Sequence, residues 1–273
     1  MSVKFTVENH LYESLDPNEK IDWLSVTRFL EMFKEKFDPV AISIKCSKNK
    51  KSKWYGMDPV IIQGIWSAEG ERAADTGNFY HGQREADVID LDTLDRNGIA
   101  IPIIKPIYEG NVKLAPVQKL VNGIYPEHFV YLKSAGICGQ SDRVEVVNNY
   151  VDIIDYKTNK EIKREGFKNW EGLTKKMVGP CAHLDDCNYN HYTVQLSLYM
   201  HIILKHNPGL KPGKLVLHHI IFEKDYEDAY GYPIYKKDTE GNYIVKTLVP
   251  YEVPYLKDEV RAMINWYLQH KVS

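Results

Sequence analysis

The chain has 273 residues, 44% of them hydrophobic and 12% aromatic, enough apolar material for one large α/β domain or two small ones and too much for a chain disordered over most of its length. Its formal net charge of −2 excludes a uniformly basic coat, although a local track for phosphates needs only a few Lys and Arg. Four cysteines (Cys46, Cys138, Cys181, Cys187) are too sparse for a disulfide scaffold, and neither a signal-peptide core in residues 1–10 nor a run of about 18 apolar residues is present, so a soluble, cytoplasmic protein with reduced thiols is expected.

The first element is a helical pattern made by Phe29, Leu30, Met32, Phe33 and Phe37, with Ser25 or Thr27 as N-cap and Pro39 as its limit. Residues 45–53 form the strongest basic cluster, followed at once by Trp54 and Tyr55. Two readings stay open there: a solvated, mobile loop, or a track that steers nucleic acid with Lys and stacks it on an aromatic ring. A second helix is expected from about 59 to 75, with Gly77 ending it, and a further helical piece carries His81 and Glu85 at i, i+4 spacing. From 98 to 127 the Pro and Gly content predicts loops and short helices. A strand at 129–134 leads into a hairpin over 136–158. Loop material at 159–191 then gives way to a helix at 192–206, stopped by Pro208 and Gly209. An apolar β-branched run at 214–223 reads as a buried strand. Strands at 232–236 and 243–253 precede an amphipathic helix at about 254–269.

The hairpin carries the chemistry. Its two arms are rich in Val, Ile and Tyr, and Asn148-Asn149 between them suits a two-residue turn with positive φ. If 147 faces 150, Asp142 stands across from Asp155 with Cβ atoms roughly 4.5–5.5 Å apart. Lys157 shares their face, because side chains alternate along a strand. Two opposed carboxylates at the end of an apolar stripe repel each other, and their burial is costly unless a cation lies between them. Hard oxygen ligands of this kind suit Mg²⁺ or Mn²⁺.

Gly-x-x-Asp on one strand (Gly139 to Asp142), Asp-x-Lys on the next (Asp155 to Lys157), an upstream Gly-x-x-x-His (Gly77 to His81) and a downstream Gln-x-x-x-Tyr (Gln195 to Tyr199) resemble, in this order, the PD-(D/E)XK nuclease superfamily. The likeness covers about residues 77–199 and is strongest to the RecB-like branch, with an order similar to small phage exonucleases and the mitochondrial genome maintenance exonuclease. It implies an α/β fold with a central mixed β-sheet flanked by helices, a restriction-endonuclease-like core, and an N-terminal helical region. The expected organisation is a single nuclease domain over 1–273: a helical region at 1–76, the nuclease core at 77–223, and C-terminal strands and a helix at 224–273.

The resemblance implies further roles. His81, Asp142, Asp155 and the backbone carbonyl of Tyr156 would hold the metal, with Asp142, Asp155 and Lys157 as catalytic set. Gln195 and Tyr199 would face the site and contact nucleic acid, or else Tyr199 packs beside Leu196 and Leu198. His81 has the alternative of a satisfied core histidine, Glu85 that of a helix brace, and Glu127 is either a member of the site or a surface carboxylate. Lys160, with Lys163 and Arg164, is placed to touch phosphates beside the cut. Relatives with an iron-sulfur cluster carry four cysteines in a pattern absent here, so no such cluster is expected. Cys181, His183, Cys187 and His191 are numerous enough for zinc but fit no familiar spacing, and a loop is the favoured reading.

The activity implied is that of a metal-dependent deoxyribonuclease, an exonuclease on single-stranded or frayed DNA ends. The alternatives are a structure-specific endonuclease of the same fold and a non-catalytic nucleic-acid-binding subunit. DNA is the expected partner, replication or recombination proteins are further ones, and no membrane is involved. If the chain is phage-encoded, the host cytosol is the compartment.

Overall fold

A computed structural model describes residues 3–6, 11–96, 98–115, 118–168 and 172–271. The chain opens with the antiparallel pair β1 (Val3–Thr6) and β2 (Leu11–Ser14), followed by the two-residue β3 (Leu24–Ser25). Ser25 caps α1 (Val26–Glu31): its hydroxyl accepts from the Arg28 N–H at 3.2 Å, so Thr27 lies inside the helix. Asp38 caps α2 (Pro39–Lys48) through the Ala41 N–H, with Pro39 in the first turn. Residues 45–48 of the basic cluster therefore close a helix while 49–53 follow in turns, because Pro starts a helix as readily as it ends one.

Asp58 caps α3 (Pro59–Ile89), a single helix of 31 residues. The expected break at Gly77 does not occur; an interior glycine costs a helix only about 1 kcal/mol, which packing outweighs. Residues 98–127 also differ from the expected loops and short helices. They hold strands rather than short helices: β5 (Ile99–Pro102) pairs with β4 (Thr93–Arg96), and β6 (Ile107–Glu109) with β7 (Val112–Leu114). The glycines lie in the turns, Gly98 and Gly110 having φ of +81° and +62°. Residues 116–117 lie outside the described residues. β8 (Gly123–Leu132) begins earlier than expected.

β1 pairs with β7, so a second sheet runs in the order β2-β1-β7-β6. The segment 1–76, expected to be helical, thus contributes strands as well. A sequence pattern cannot show a pairing between segments about a hundred residues apart.

β9 (Ile137–Val147) and β10 (Tyr150–Lys157) form the expected hairpin, followed by α4 (Asn188–His206), β11 (Lys211–Phe222), β12 (Lys224–Glu227), β13 (Pro233–Tyr235), β14 (Val245–Val253) and α5 (Lys257–Lys271). The central sheet has the order β14-β11-β10-β9-β3, with β8 also on β9. β10–β11 and β3–β9 are parallel and the remaining pairs antiparallel, so the sheet is mixed. The chain is therefore α/β, a mixed sheet with helices on both faces. On one face Val144, Val146, Val151, Ile153, Leu215 and Leu217 pack with α1, α4 and α5. On the other, Ile154, Tyr156, Ile220 and Phe222 meet Tyr80 of α3. Among the described residues no helix is long and apolar enough to cross a membrane.

His201 on α4 is buried against Lys205, Arg261 and Lys257; burial first, then these cations, pushes its pKa from 6.5 down to about 4. The folded state holds His201 neutral where the unfolded chain protonates it. Stability is therefore complete above about pH 6.5 and declines as pH falls towards 4, by up to ~1.4 kcal/mol per unit. Urea midpoints across that range should show this slope, and His201→Gln should flatten it.

Candidate metal centre

The hairpin turn has Asn148 and Asn149 at φ +52° and +65°, the conformation that a two-residue primed turn requires. Pairing runs from Tyr150 opposite Val147 to Ile154 opposite Arg143. One step further, Asp142 and Asp155 share the expected face. Asp142 Oδ2 accepts from the Tyr156 N–H at 2.7 Å, which ties the two strands together at the site. Lys157 Nζ lies 2.7 Å from Asp155 Oδ2 and 4.7 Å over the Tyr192 ring.

α3 supplies the imidazole. Gly77 faces the end of β10, where an added Cβ would lie 3.4 Å from Thr158 Oγ1. One turn on, His81 Nδ1 is 3.3 Å from Asp142 Oδ2. β8 supplies a carboxylate: Glu127 has a φ of +46°, and the β8–β9 register passes over it, from Pro126 opposite Arg143 to His128 opposite Ser141. Ligand atoms of His81, Glu127 and Asp142 all lie within 4.8 Å of one another.

This grouping holds two of the expected side-chain ligands, His81 and Asp142, and adds Glu127. Glu127, which the sequence left between site and surface, joins His81 and Asp142, while Asp155 stands beside them paired to Lys157. Among the described residues no other set of His, Cys, Asp and Glu converges in this way. No family model matches the chain, and no curated protein matches it in sequence.

The electrostatics are those of a crowded, buried acidic group. Burial raises Asp155 to about 6 against the pull of Lys157, and the Asp142 charge adds to the rise. Burial likewise raises Glu127 to about 8, with Asp142 contributing. Asp142 moves the other way: burial would raise it, but the charge and hydrogen bond of His81, then Lys157 and the Tyr156 N–H, hold it below the ordinary carboxylate range. His81 would be lowered by burial, yet Asp142 beside it outweighs this and lifts it to about 9. Lys157 stays charged, because Asp155 and Asp142 more than offset its burial.

Tyr156 gives its N–H to Asp142, and its ring packs on the opposite face against Tyr80. Gln195 Nε2 donates to the Tyr199 hydroxyl at 3.4 Å. Tyr199 is buried, and its pKa stands well above the ordinary value through burial and then the charges of Asp155 and Asp142. It therefore packs in the core and borders the carboxylates at once. Gly139 of the Gly-x-x-Asp motif makes room for it: a Cβ there would lie 3.1 Å from Tyr199 Cε1 and 3.0 Å from Val26 Cγ2.

Other named residues lie further out. Glu85 is half-buried and accepts from the Tyr108 hydroxyl at 3.2 Å, so it braces α3 against β6. Lys163 pairs with Glu161, and Arg164 lies over Tyr189, whereas Lys160 lines a cavity beside Thr158 and Asn159. His183 pairs with Glu259 and His191 with Asp186, so Cys181, His183, Cys187 and His191 do not gather into one donor set. Lys53 of the basic cluster donates to the Tyr230 carbonyl and sits over the Trp54 ring.

Lys113 was not foreseen. It is buried on β7 and donates to Gln140 Oε1 at 2.7 Å; burial lowers its pKa against the charges of Glu127 and Glu85. Its segment carried no strand signal, so nothing pointed its side chain inward.

Proposed function

We propose that this chain is a metal-dependent nuclease that hydrolyses DNA phosphodiester bonds, acting as an exonuclease on single-stranded or frayed ends. One observation carries the reading: His81, Glu127 and Asp142 converge from α3, β8 and β9 within 4.8 Å, beside the buried Asp155–Lys157 pair. The preference for free ends and single strands rests on the resemblance in motif order to small exonucleases.

The donor set fits a hard divalent cation. Two carboxylates and one imidazole suit Mn²⁺ or Mg²⁺, the imidazole favouring Mn²⁺, and their buried charge is what a cation would relieve. When bound, such an ion polarises the phosphate and lowers the pKa of its water. The chain's own residues then have distinct tasks. Asp142 keeps its ionised form under the Tyr156 N–H and offers oxygen to the ion. Asp155 holds Lys157 in place, and the ammonium group aims positive charge at the oxygen that gains charge during hydrolysis. The Tyr192 ring lies 4.7 Å from the Lys157 ammonium and shields it on that side.

End-labelled single-stranded and duplex DNA, incubated with the protein in Mn²⁺, Mg²⁺ or EDTA, tests this. Metal-dependent shortening of the single strand from its end is expected. Intact substrate in every condition overturns the reading, and cleavage of closed circular single strands reassigns the mode to endonuclease.

A further inference from the structure

We propose that the cavity between α3 and the β12–β13 hairpin receives one unpaired base of the bound DNA strand, from the nucleotide next to the scissile phosphate. This rests on the nuclease reading and adds a base subsite to it. The cavity measures about 250 Å³, the volume of roughly eight waters, which suits one nucleotide and no duplex.

Its position follows from α3. Arg72, Ala73 and Thr76 line the cavity, Gly77 crosses the end of β10, and His81 reaches Asp142. Thr76 and His81 are five residues apart, about 7.5 Å along the helix axis. That is on the scale of one extended nucleotide step. On the sheet side the cavity is walled by Thr158, Asn159 and Lys160, which directly follow Lys157. A strand whose phosphate lies at the carboxylates therefore passes the cavity mouth with its neighbouring nucleotide.

Its walls suit a base. The half-buried rings of Tyr235 and Tyr243 stand 6.4 Å apart at 90°, so a planar group stacked on Tyr235 meets the edge of Tyr243. Thr76 holds the Tyr243 hydroxyl at 3.3 Å. Arg72 is fixed by Glu69 and by Asp228, which sets its guanidinium plane in the wall. Beside it on α3, Ala73 presents only a methyl, which leaves space between Arg72 and Thr76. The exposed Lys160 and Lys237 line the opening, Lys237 Nζ resting 4.4 Å over the Tyr243 ring, and both reach towards the phosphates that would run on either side of an inserted base. Every base has a π-face, so the subsite accepts all four bases.

The test pairs cleavage with binding. Single-stranded oligonucleotides carrying one abasic analogue, stepped along the strand, are cleaved in Mn²⁺ by the native protein and by Ala73→Leu, which fills the cavity with a good helix former. For the native protein kcat/KM should fall roughly ten- to a hundredfold when the analogue sits at one position beside the cut. Ala73→Leu should lose a similar factor on ordinary DNA and become indifferent to the analogue. A flat abasic profile, or full activity in Ala73→Leu, overturns the proposal while leaving the nuclease reading intact. In EDTA, an oligonucleotide with 2-aminopurine should be quenched on binding the native protein and not on binding Ala73→Leu at equal thermal stability. Equal quenching, or none, overturns the subsite whether or not any DNA is cut, whereas quenching without cleavage in any metal counts only against the nuclease.

Discussion

Lys157→Ala is expected to lower Mn²⁺-dependent cleavage roughly a hundred- to a thousandfold, the scale on which removal of one preorganised charge at a developing oxyanion is felt. The Lys157 ammonium is buried, paired to Asp155 at 2.7 Å and kept charged by Asp155 and Asp142, so the variant removes a group that solvent cannot replace. Metal affinity should change little, since Lys157 donates no ligand atom. Asp142→Ala should act differently: it removes an oxygen donor and the partner of His81, so calorimetry should show Mn²⁺ binding weakened along with cleavage. Native affinity should also depend on pH with a definite sign. His81, raised to about 9, and Glu127, raised to about 8, both carry protons at neutral pH in the free protein, and the ion must expel them. Binding should therefore release protons and tighten as pH rises, levelling above about 9. Full activity in Lys157→Ala, or Mn²⁺ affinity independent of pH, removes this assignment of roles.

Phe29→Ala should cost about 3–5 kcal/mol of stability. Phe29 is wholly buried and meets Phe33 and Tyr267 edge-on at 5.2 Å and 5.5 Å, so its loss opens a cavity between α1 and α5 that fixed helices fill poorly. For a chain of this size each kcal/mol moves Tm by about 2–4 °C, so a fall on the order of 10 °C is expected by calorimetry. The effect reaches the site through α1, because Val26 packs where Gly139 leaves room on β9, the strand that bears Asp142. Activity at low temperature should survive. An unchanged Tm would mean that α1 is not packed as described.

The hairpin was legible because its information is local. Asn148-Asn149 determines the turn, the turn determines the register, and the register places Asp142, Asp155 and Lys157 on one face. The spacing of four between Gln195 and Tyr199 was legible for the same reason, both lying on one face of a single helix. Gly77 was misleading as a helix stop, since a glycine that admits a close neighbour looks the same in sequence as one that ends a helix.

The alternating pattern of the hairpin strands, the cap at Ser25 and the spacing within each motif belong to the sequence alone, because each depends on residues a few positions apart. Tertiary structure alone decided that β1 pairs with β7, that Glu127 comes within 4.8 Å of His81 and Asp142, and that Lys113 is buried beside them. Those arrangements bring together segments separated by tens to a hundred residues, and their energy comes from burial and charge that exist only once the sheet has closed around them.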